Sequence, residues 1–86
     1  MISRMVTEIE KKILTKMFYA RFIGERHTSE DNIPEGFPKH ERGDVRKALK
    51  NLKHQGYVTT KTTSYGMEVP LAPSRIAEVR RILGIE

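Results

Sequence analysis

The stretch DVRKALKNLKHQGYV, residues 44–58, decides the fold of this chain. Its apolar residues recur at three- and four-residue steps and occupy one helix face about 100° wide. They are Val45, Ala48, Leu49 and Leu52. Gly56 then favours a left-handed C-cap, and the alternating residues after it favour a strand. We therefore predict a helix over residues 41–55 that leads into a β-strand.

The opposite face of this predicted helix is polar and mainly basic. It carries Gly43, Lys47, Lys50 and His54, flanked by Arg46, Asn51 and Lys53. Residues 39–56 contain six cationic side chains and two carboxylates, a net charge of 6 − 2 = +4. Such a face binds a polyanion in some proteins and is simply solvated in others, so the pattern alone leaves both interpretations open.

Upstream, apolar residues at helical spacing predict a first helix over residues 6–24. Thr7 and Glu10 fit a capping box, and Gly24 is the expected C-cap. A second apolar stripe on this helix consists of Leu14, Phe18 and Phe22, with Ile82 and Ile85 as apolar residues left over near the C-terminus. The stripe either packs within the domain or joins a homodimer through the first and last helices.

The connector that follows, residues 25–38, carries a net charge of 1 − 4 = −3, so it should not lie along a phosphate backbone. Thr28 or Ser29 is expected to cap one short helical turn that ends before Pro34. Phe37 is expected to enter the core from the turn after it.

Beyond Gly56 the hydrophobic period changes from helical to alternating, which predicts a β-hairpin over residues 57–71 connected at residues 63–66. Pro70 predicts that the second strand is an edge strand or turns its proline to a free side. Ser74 is expected to open a closing helix that ends at Gly84.

Composition narrows the class of protein. The 86 residues are 37% hydrophobic and 31% charged, which is typical of one globular domain spanning residues 1–86. The net charge of +5 suits a polyanionic partner, although it also serves solubility. Without cysteine there is no disulfide or thiolate metal site. No apolar run is long enough to cross a membrane, so we expect a cytoplasmic protein with no membrane partner.

Catalytic and metal-binding patterns are missing from the sequence. The three histidines stand far apart, with no acidic residue at ligand spacing from any pair of them. The serines fall at cap and turn positions, and no nucleophile motif or glycine-rich phosphate loop surrounds them. We therefore expect neither an enzyme nor a bound cofactor or metal.

Residues 44–58 resemble the third helix and first wing strand of winged helix-turn-helix DNA-binding proteins, especially small archaeal and bacterial transcription regulators. The matching positions are Val45, Ala48, Leu49, Leu52, Lys53, Gly56, Tyr57 and Val58. The resemblance extends over residues 6–83 and implies an α+β fold with a three-helix core, a β-hairpin wing and a C-terminal helix. The chain departs from the family in residues 34–40, which form a longer connection than the usual tight turn.

The resemblance implies that helix 41–55 is the recognition helix, which enters a major groove of double-stranded DNA, and that hairpin 57–71 is a wing beside the backbone. The candidate contacts on the helix are Arg42, Arg46, Lys47, Lys50 and Asn51, and those on the wing are Lys61, Thr62, Thr63, Ser64 and Tyr65. Cationic side chains suit phosphates and guanine edges, and hydroxyls suit phosphates. The alternative for Tyr65 is packing on its own hairpin.

Two functions therefore compete. The first is a DNA-binding transcriptional regulator that acts as a homodimer, because two copies on a palindrome double a small interface. The second is an adaptor that binds RNA or protein, because winged-helix folds also serve as ribosomal and polymerase-associated subunits. Residues 52–58, together with the hairpin, also resemble a eukaryotic small-subunit ribosomal protein. The fold alone does not decide between them.

Overall fold

A computed structural model describes residues 6–85, so the predicted domain bounds of 1–86 extend slightly beyond it at both ends. The elements in chain order are α1 (Glu8–Tyr19), β1 (Thr28–Ser29), α2 (Asn32–Glu35), a 3-10 turn (Lys39–Glu41), α3 (Arg42–His54), β2 (Lys61–Thr63), β3 (Gly66–Val69), a second 3-10 turn (Pro73–Arg75) and α4 (Ile76–Leu83). The three strands form an antiparallel sheet in the order β1-β3-β2. The described residues thus form the α+β fold that the sequence predicts.

Helix α3 agrees closely with its prediction. All four residues of its apolar stripe are buried, and Leu52 is completely inaccessible. Gly56 follows the C-cap residue Gln55 in the left-handed region, with φ = +86°. The Gly56 N–H donates to the Lys53 carbonyl at 3.0 Å, and the next N–H, of Tyr57, donates to the Leu52 carbonyl at 3.1 Å. These two bonds form a Schellman motif, which satisfies carbonyls at the helix end.

Helix α1 begins as predicted and ends early. The capping box is present, with the Glu10 N–H donating to Thr7 Oγ1 and the Thr7 N–H donating to Glu10 Oε1, both at 3.1 Å. The prediction of Gly24 as the C-cap is wrong, because the helix stops at Tyr19 and Arg21 adopts the left-handed conformation. The chain then leaves the axis of α1, and this change of direction is held by the Leu71 N–H, which donates to the Phe22 carbonyl at 2.8 Å.

The connector differs from its prediction in two places. Thr28 and Ser29 form strand β1 rather than a helix cap, because they pair with Val69 and Glu68 of β3. Helix α2 includes Pro34 instead of ending before it, since a first-turn residue has no intrahelical N–H bond to lose. Phe37 is buried, as predicted.

The hairpin has its connection at the predicted residues, but its two strands are shorter than predicted. Thr63 pairs with Gly66 across a two-residue turn, but regular pairing begins only at Lys61, and Val58 makes a single bridge to Leu71. The prediction of an edge position for the second strand is wrong, because β1 makes β3 the central strand. Pro70 lies just beyond the end of β3, where it removes no ladder bond.

Helix α4 ends at Gly84 in the left-handed conformation, as predicted, but Ser74 does not cap it. A 3-10 turn precedes the helix, and Arg75 occupies the N-cap position without a side-chain capping hydrogen bond. No helix within residues 6–85 has the length and apolar character needed to cross a bilayer.

The core lies between α1, α3, α4 and the sheet. Leu14 is completely buried in this core, so it cannot form the intersubunit seam that the sequence suggested for its stripe. Phe18, Phe22 and Ile82 are partly buried and pack against the same core. Most of the second stripe is therefore used within the protomer.

Candidate nucleic-acid interface

Neighbouring parts of the chain border the exposed side of α3 along both of its edges. On one flank, Lys53 Nζ donates to Glu30 Oε1 at 2.8 Å, at the junction between β1 and α2. On the other, Asp44 and Asn51 line a groove of about 370 Å³ together with Glu8 and Thr7 at the start of α1. The surface that remains open to solvent between these flanks is the centre of the predicted basic face.

That open surface is a ridge of basic side chains, which we call the α3 ridge. It consists of Arg46, Lys47, Lys50 and His54, all of them exposed. Within residues 6–85 none of the four forms a salt bridge. The charges of Arg46, Lys47 and Lys50 are therefore not neutralised by a carboxylate of the described residues, and their long side chains are available to an anionic partner.

Arg42, which the sequence groups with these residues, has a different role. Its Nε donates to the Phe37 carbonyl at 3.1 Å, and its Nη2 donates to the Glu35 carbonyl at 3.4 Å. Those carbonyls lie at the end of α2 and in the connection between α2 and α3. Arg42 thus holds this connection against the start of α3, one helical turn before Arg46 of the α3 ridge.

Asn51 is exposed but lies at the edge of the interface. It shares the groove beside α1 with the carboxylates of Glu8 and Asp44. Lys47 lines the same groove and also belongs to the α3 ridge. An anionic backbone that approaches α3 is therefore repelled on the α1 side, which favours contact through the centre of the ridge.

Some side chains of the predicted wing are exposed, whereas others form hydrogen bonds within its turn. Lys61, Thr62 and Ser64 are exposed, and Lys61 lies opposite Glu68 in the sheet. The Thr63 hydroxyl donates to the Gly66 carbonyl and accepts from the Tyr65 N–H, both at 3.1 Å. Thr63 therefore fixes the turn geometry rather than offering its hydroxyl to a partner.

Tyr65 stands at the tip of the wing and is 92% exposed. The alternative that it packs on its own hairpin is therefore wrong. Tyr65 lines a groove of about 320 Å³ with Met67 of β3 and with Glu30, Asp31 and Lys53 on the facing side. Sequence reasoning missed this meeting of the wing with the acidic connector, because it depends on the pairing of β1 with β3.

A polar cluster joins the end of α3 to α4. The Arg75 guanidinium lies 4.5 Å from the centre of the Tyr57 ring, and its Nη1 donates to the Gln55 carbonyl at 3.1 Å. Arg75 Nε donates to Glu78 Oε1 at 3.1 Å, while the Tyr57 hydroxyl donates to Glu78 Oε2 at 2.7 Å. We call this set of contacts the Tyr57 clamp.

The clamp shifts the acidity of its members. Burial and the bond to Glu78 raise the pKa of Tyr57 above its usual value. The pKa of Glu78 is lowered, first by the hydrogen bond from Tyr57 and then by the charge of Arg75. Sequence reasoning missed this cluster, because Arg75 and Glu78 lie about twenty residues along the chain from the end of α3.

No site for a metal is formed by the described part of the chain: no three His, Asp or Glu side chains in residues 6–85 come together to hold an ion. No protein-family model matches the chain, and neither curated proteins nor solved structures show significant similarity to it. The functional argument therefore rests on the surface chemistry of the chain itself.

Proposed function

We propose that this chain is a winged helix-turn-helix protein that binds double-stranded DNA as a transcriptional regulator. In this proposal α3 is the recognition helix and the β2–β3 hairpin is the wing. The order of helix, short helix, helix, hairpin and helix supports the assignment, as does the amphipathic character of α3.

The α3 ridge is the observation that carries the proposal. Four basic side chains project from one open helix face, and the core-facing side of the same helix is fully packed. A helix of this width fits a B-DNA major groove, where arginine and lysine contact phosphates and the O6 and N7 atoms of guanine. Arg46 lies nearest the helix N-terminus of the four, so it is our candidate for a base contact.

On the wing, Lys61, Thr62 and Ser64 are the proposed phosphate contacts, because their side chains are exposed at the free edge of the sheet or in its turn. We leave Arg42 and Thr63 out, because their side chains bond to backbone carbonyls that hold the connection between α2 and α3 and the hairpin turn. Tyr65 is also left out, because the carboxylates of Glu30 and Asp31 across its groove repel phosphate.

The test is the double variant Lys47→Ala with Lys50→Ala, measured by fluorescence anisotropy on labelled duplex DNA over a salt series. Each lost phosphate contact should flatten the dependence of log K on log salt by about 0.9, so we expect a change of about one to two units. Circular dichroism should remain unchanged, because both lysines lie away from the core.

The matched control is Lys11→Ala with Lys12→Ala on the exposed side of α1, which removes the same charge from another helix. It should weaken binding much less, because general electrostatic attraction is all that it reduces. If the α3 double variant binds DNA as well as wild type at every salt concentration, α3 is not the recognition helix. Tighter binding of a structured RNA than of duplex DNA in the same series would favour the adaptor.

A homodimer remains part of the proposal, because a palindromic site would double the small interface of one module. Phe18, Phe22 and Ile82 keep part of their surface exposed, although they pack against the protomer core. Sedimentation at micromolar concentration should then show about twice the protomer mass of 9.9 kDa. A single species at the protomer mass would contradict the dimer and leave DNA binding to one copy.

A further inference from the structure

The Tyr57 clamp shows how this chain holds an arginine. The guanidinium of Arg75 stacks on an aromatic ring, and a carboxylate accepts from its edge. Stacking and a charge-assisted hydrogen bond together suit a guanidinium better than an ammonium, because the guanidinium is planar and weakly hydrated. The same two kinds of group, a tyrosine ring and a carboxylate, meet a second time in the protein.

The second meeting is the groove at the wing tip, lined by Tyr65, Met67, Ser29, Glu30, Asp31, Lys53 and Gly66. Glu30 is already paired with Lys53 at 2.8 Å, whereas Asp31 is exposed and forms no ion pair within residues 6–85. Tyr65 is 92% exposed and Met67 is 46% exposed. The Met67 sulfur accepts from the Thr62 hydroxyl at 3.5 Å, which leaves the rest of that side chain half exposed. The groove therefore offers an open ring, an apolar Met67 surface and an uncompensated carboxylate.

The walls of this groove are held in place by the backbone. The Tyr65 N–H donates to the Thr63 hydroxyl at 3.1 Å, which fixes the turn that carries the ring. The Glu30 N–H donates to the Met67 carbonyl at 2.9 Å, which ties the acidic corner to β3. The backbone on both sides of the groove is therefore fixed before a partner arrives, and only the exposed side chains have to be ordered on binding.

We propose that the wing-tip groove docks an arginine side chain from an extended segment of a partner protein. The guanidinium stacks on Tyr65 and donates to the carboxylate of Asp31, while Met67 contacts the aliphatic part of the segment. Charge decides against nucleic acid as the occupant, because the lining holds two carboxylates and one lysine, and that lysine is already paired. The inference does not depend on DNA binding through the α3 ridge.

The test is an NMR titration of the ¹⁵N-labelled full chain with the acetylated and amidated peptide Gly-Ser-Arg-Gly-Ser-Arg-Gly-Ser. We expect saturable shifts at the amides of residues 29–31 and 65–67. A peptide with citrulline in place of both arginines keeps the shape and loses the charge, so it should cause no such shifts. Asp31→Asn and Tyr65→Ala should each weaken binding about fivefold, the size expected for one exposed ion pair or cation–π contact.

The control variant is Glu25→Gln, which removes an exposed carboxylate of the same connector outside the groove. It should change the affinity less than twofold. Equal binding of the citrulline peptide, or an equal loss in Glu25→Gln and Asp31→Asn, would overturn the proposal. So would a loss of duplex DNA binding in Tyr65→Ala as large as that in the Lys47 and Lys50 double variant, because the groove would then belong to the nucleic-acid interface.

Discussion

Helices α1 and α3 end in the same backbone motif with different residues at the critical position. In both, the two residues after the C-cap donate backwards to close a Schellman motif: Arg21 to Phe18 and Phe22 to Met17 in α1, and Gly56 to Lys53 and Tyr57 to Leu52 in α3. The left-handed residue is glycine in α3, at φ = +86°, and arginine in α1, at φ = +64°. An aromatic residue follows in each case.

The two ends differ in what enforces the turn. Glycine adopts positive φ without a steric penalty, so the sequence alone favours the end of α3 at this point. Arginine does not, so the end of α1 must be imposed by other parts of the protein. Leu71 holds the chain in this turn. Its N–H donates to the Phe22 carbonyl at 2.8 Å, and its carbonyl accepts from the Gly24 N–H at 3.0 Å.

The largest effect is expected from Leu71→Ala, which removes the buried side chain beside the backbone bonds that hold the end of α1. Leu71 is completely buried, so the free energy of unfolding should fall by about 2 to 5 kcal/mol in urea denaturation. Met67→Ala is the control, because Met67 lies in β3, four residues before Leu71, and is half exposed. Equal losses of unfolding free energy in the two variants would show that the Leu71 side chain does not anchor the end of α1.

A smaller loss is expected from Gly56→Ala at the end of α3. A Cβ there would be strained at positive φ and would lie 3.0 Å from Arg75 Nη1, inside the Tyr57 clamp. We expect a loss of about 2 kcal/mol. Gly43→Ala in the same helix should instead stabilise the protein by up to about 1 kcal/mol, because that position is open and alanine is the better helix former. A stabilised Gly56→Ala variant would contradict the clamp geometry.

The clamp also predicts a pH dependence. The lowered pKa of Glu78 contributes stability above pH 4.5, which is lost as the pH falls through the folded-state value. The raised pKa of Tyr57 contributes stability below pH 10, which is lost as the pH rises through the folded-state value. The stability difference between wild type and Tyr57→Phe should therefore be greatest between these limits and shrink on both sides. A difference independent of pH would mean that the Tyr57 hydroxyl does not bond to Glu78.

The two helix ends also explain which features the sequence could predict. The stripe of α3, its glycine and its basic face are all set within fifteen residues, so local patterns were enough to place the α3 ridge. Strand β1 could not be found in this way, because Thr28 and Ser29 form a strand only by pairing with β3, forty residues later. The same long-range pairing brings Asp31 to the wing tip, so the groove there was hidden as well.

Some of the predicted site residues also serve the fold, which the sequence did not reveal. Arg42 has the charge and helix position of a phosphate contact, and only the position of the Glu35 and Phe37 carbonyls reveals its structural role. Likewise, composition gives no reason to separate Thr63, which closes the wing turn, from its exposed neighbour Thr62. A pattern of charged and polar residues in the sequence indicates an exposed surface. Only the contacts in the structure show which side chains of that surface are not bonded within the protein.

The smallest effect, and the most direct test of the comparison, is Arg21→Gly. Glycine removes a steric cost of about 1 to 2 kcal/mol at this left-handed position and adds about 0.5 to 1 kcal/mol of unfolded-state freedom, so the net result should be a stabilisation of about 0.5 kcal/mol. Ala20→Gly at the adjacent C-cap, where φ is −80°, adds the same freedom without relieving strain and should destabilise the protein. Urea denaturation of both variants measures the difference in sign. If both lose stability equally, Arg21 is not strained, and the end of α1 is set locally in the same way as the end of α3.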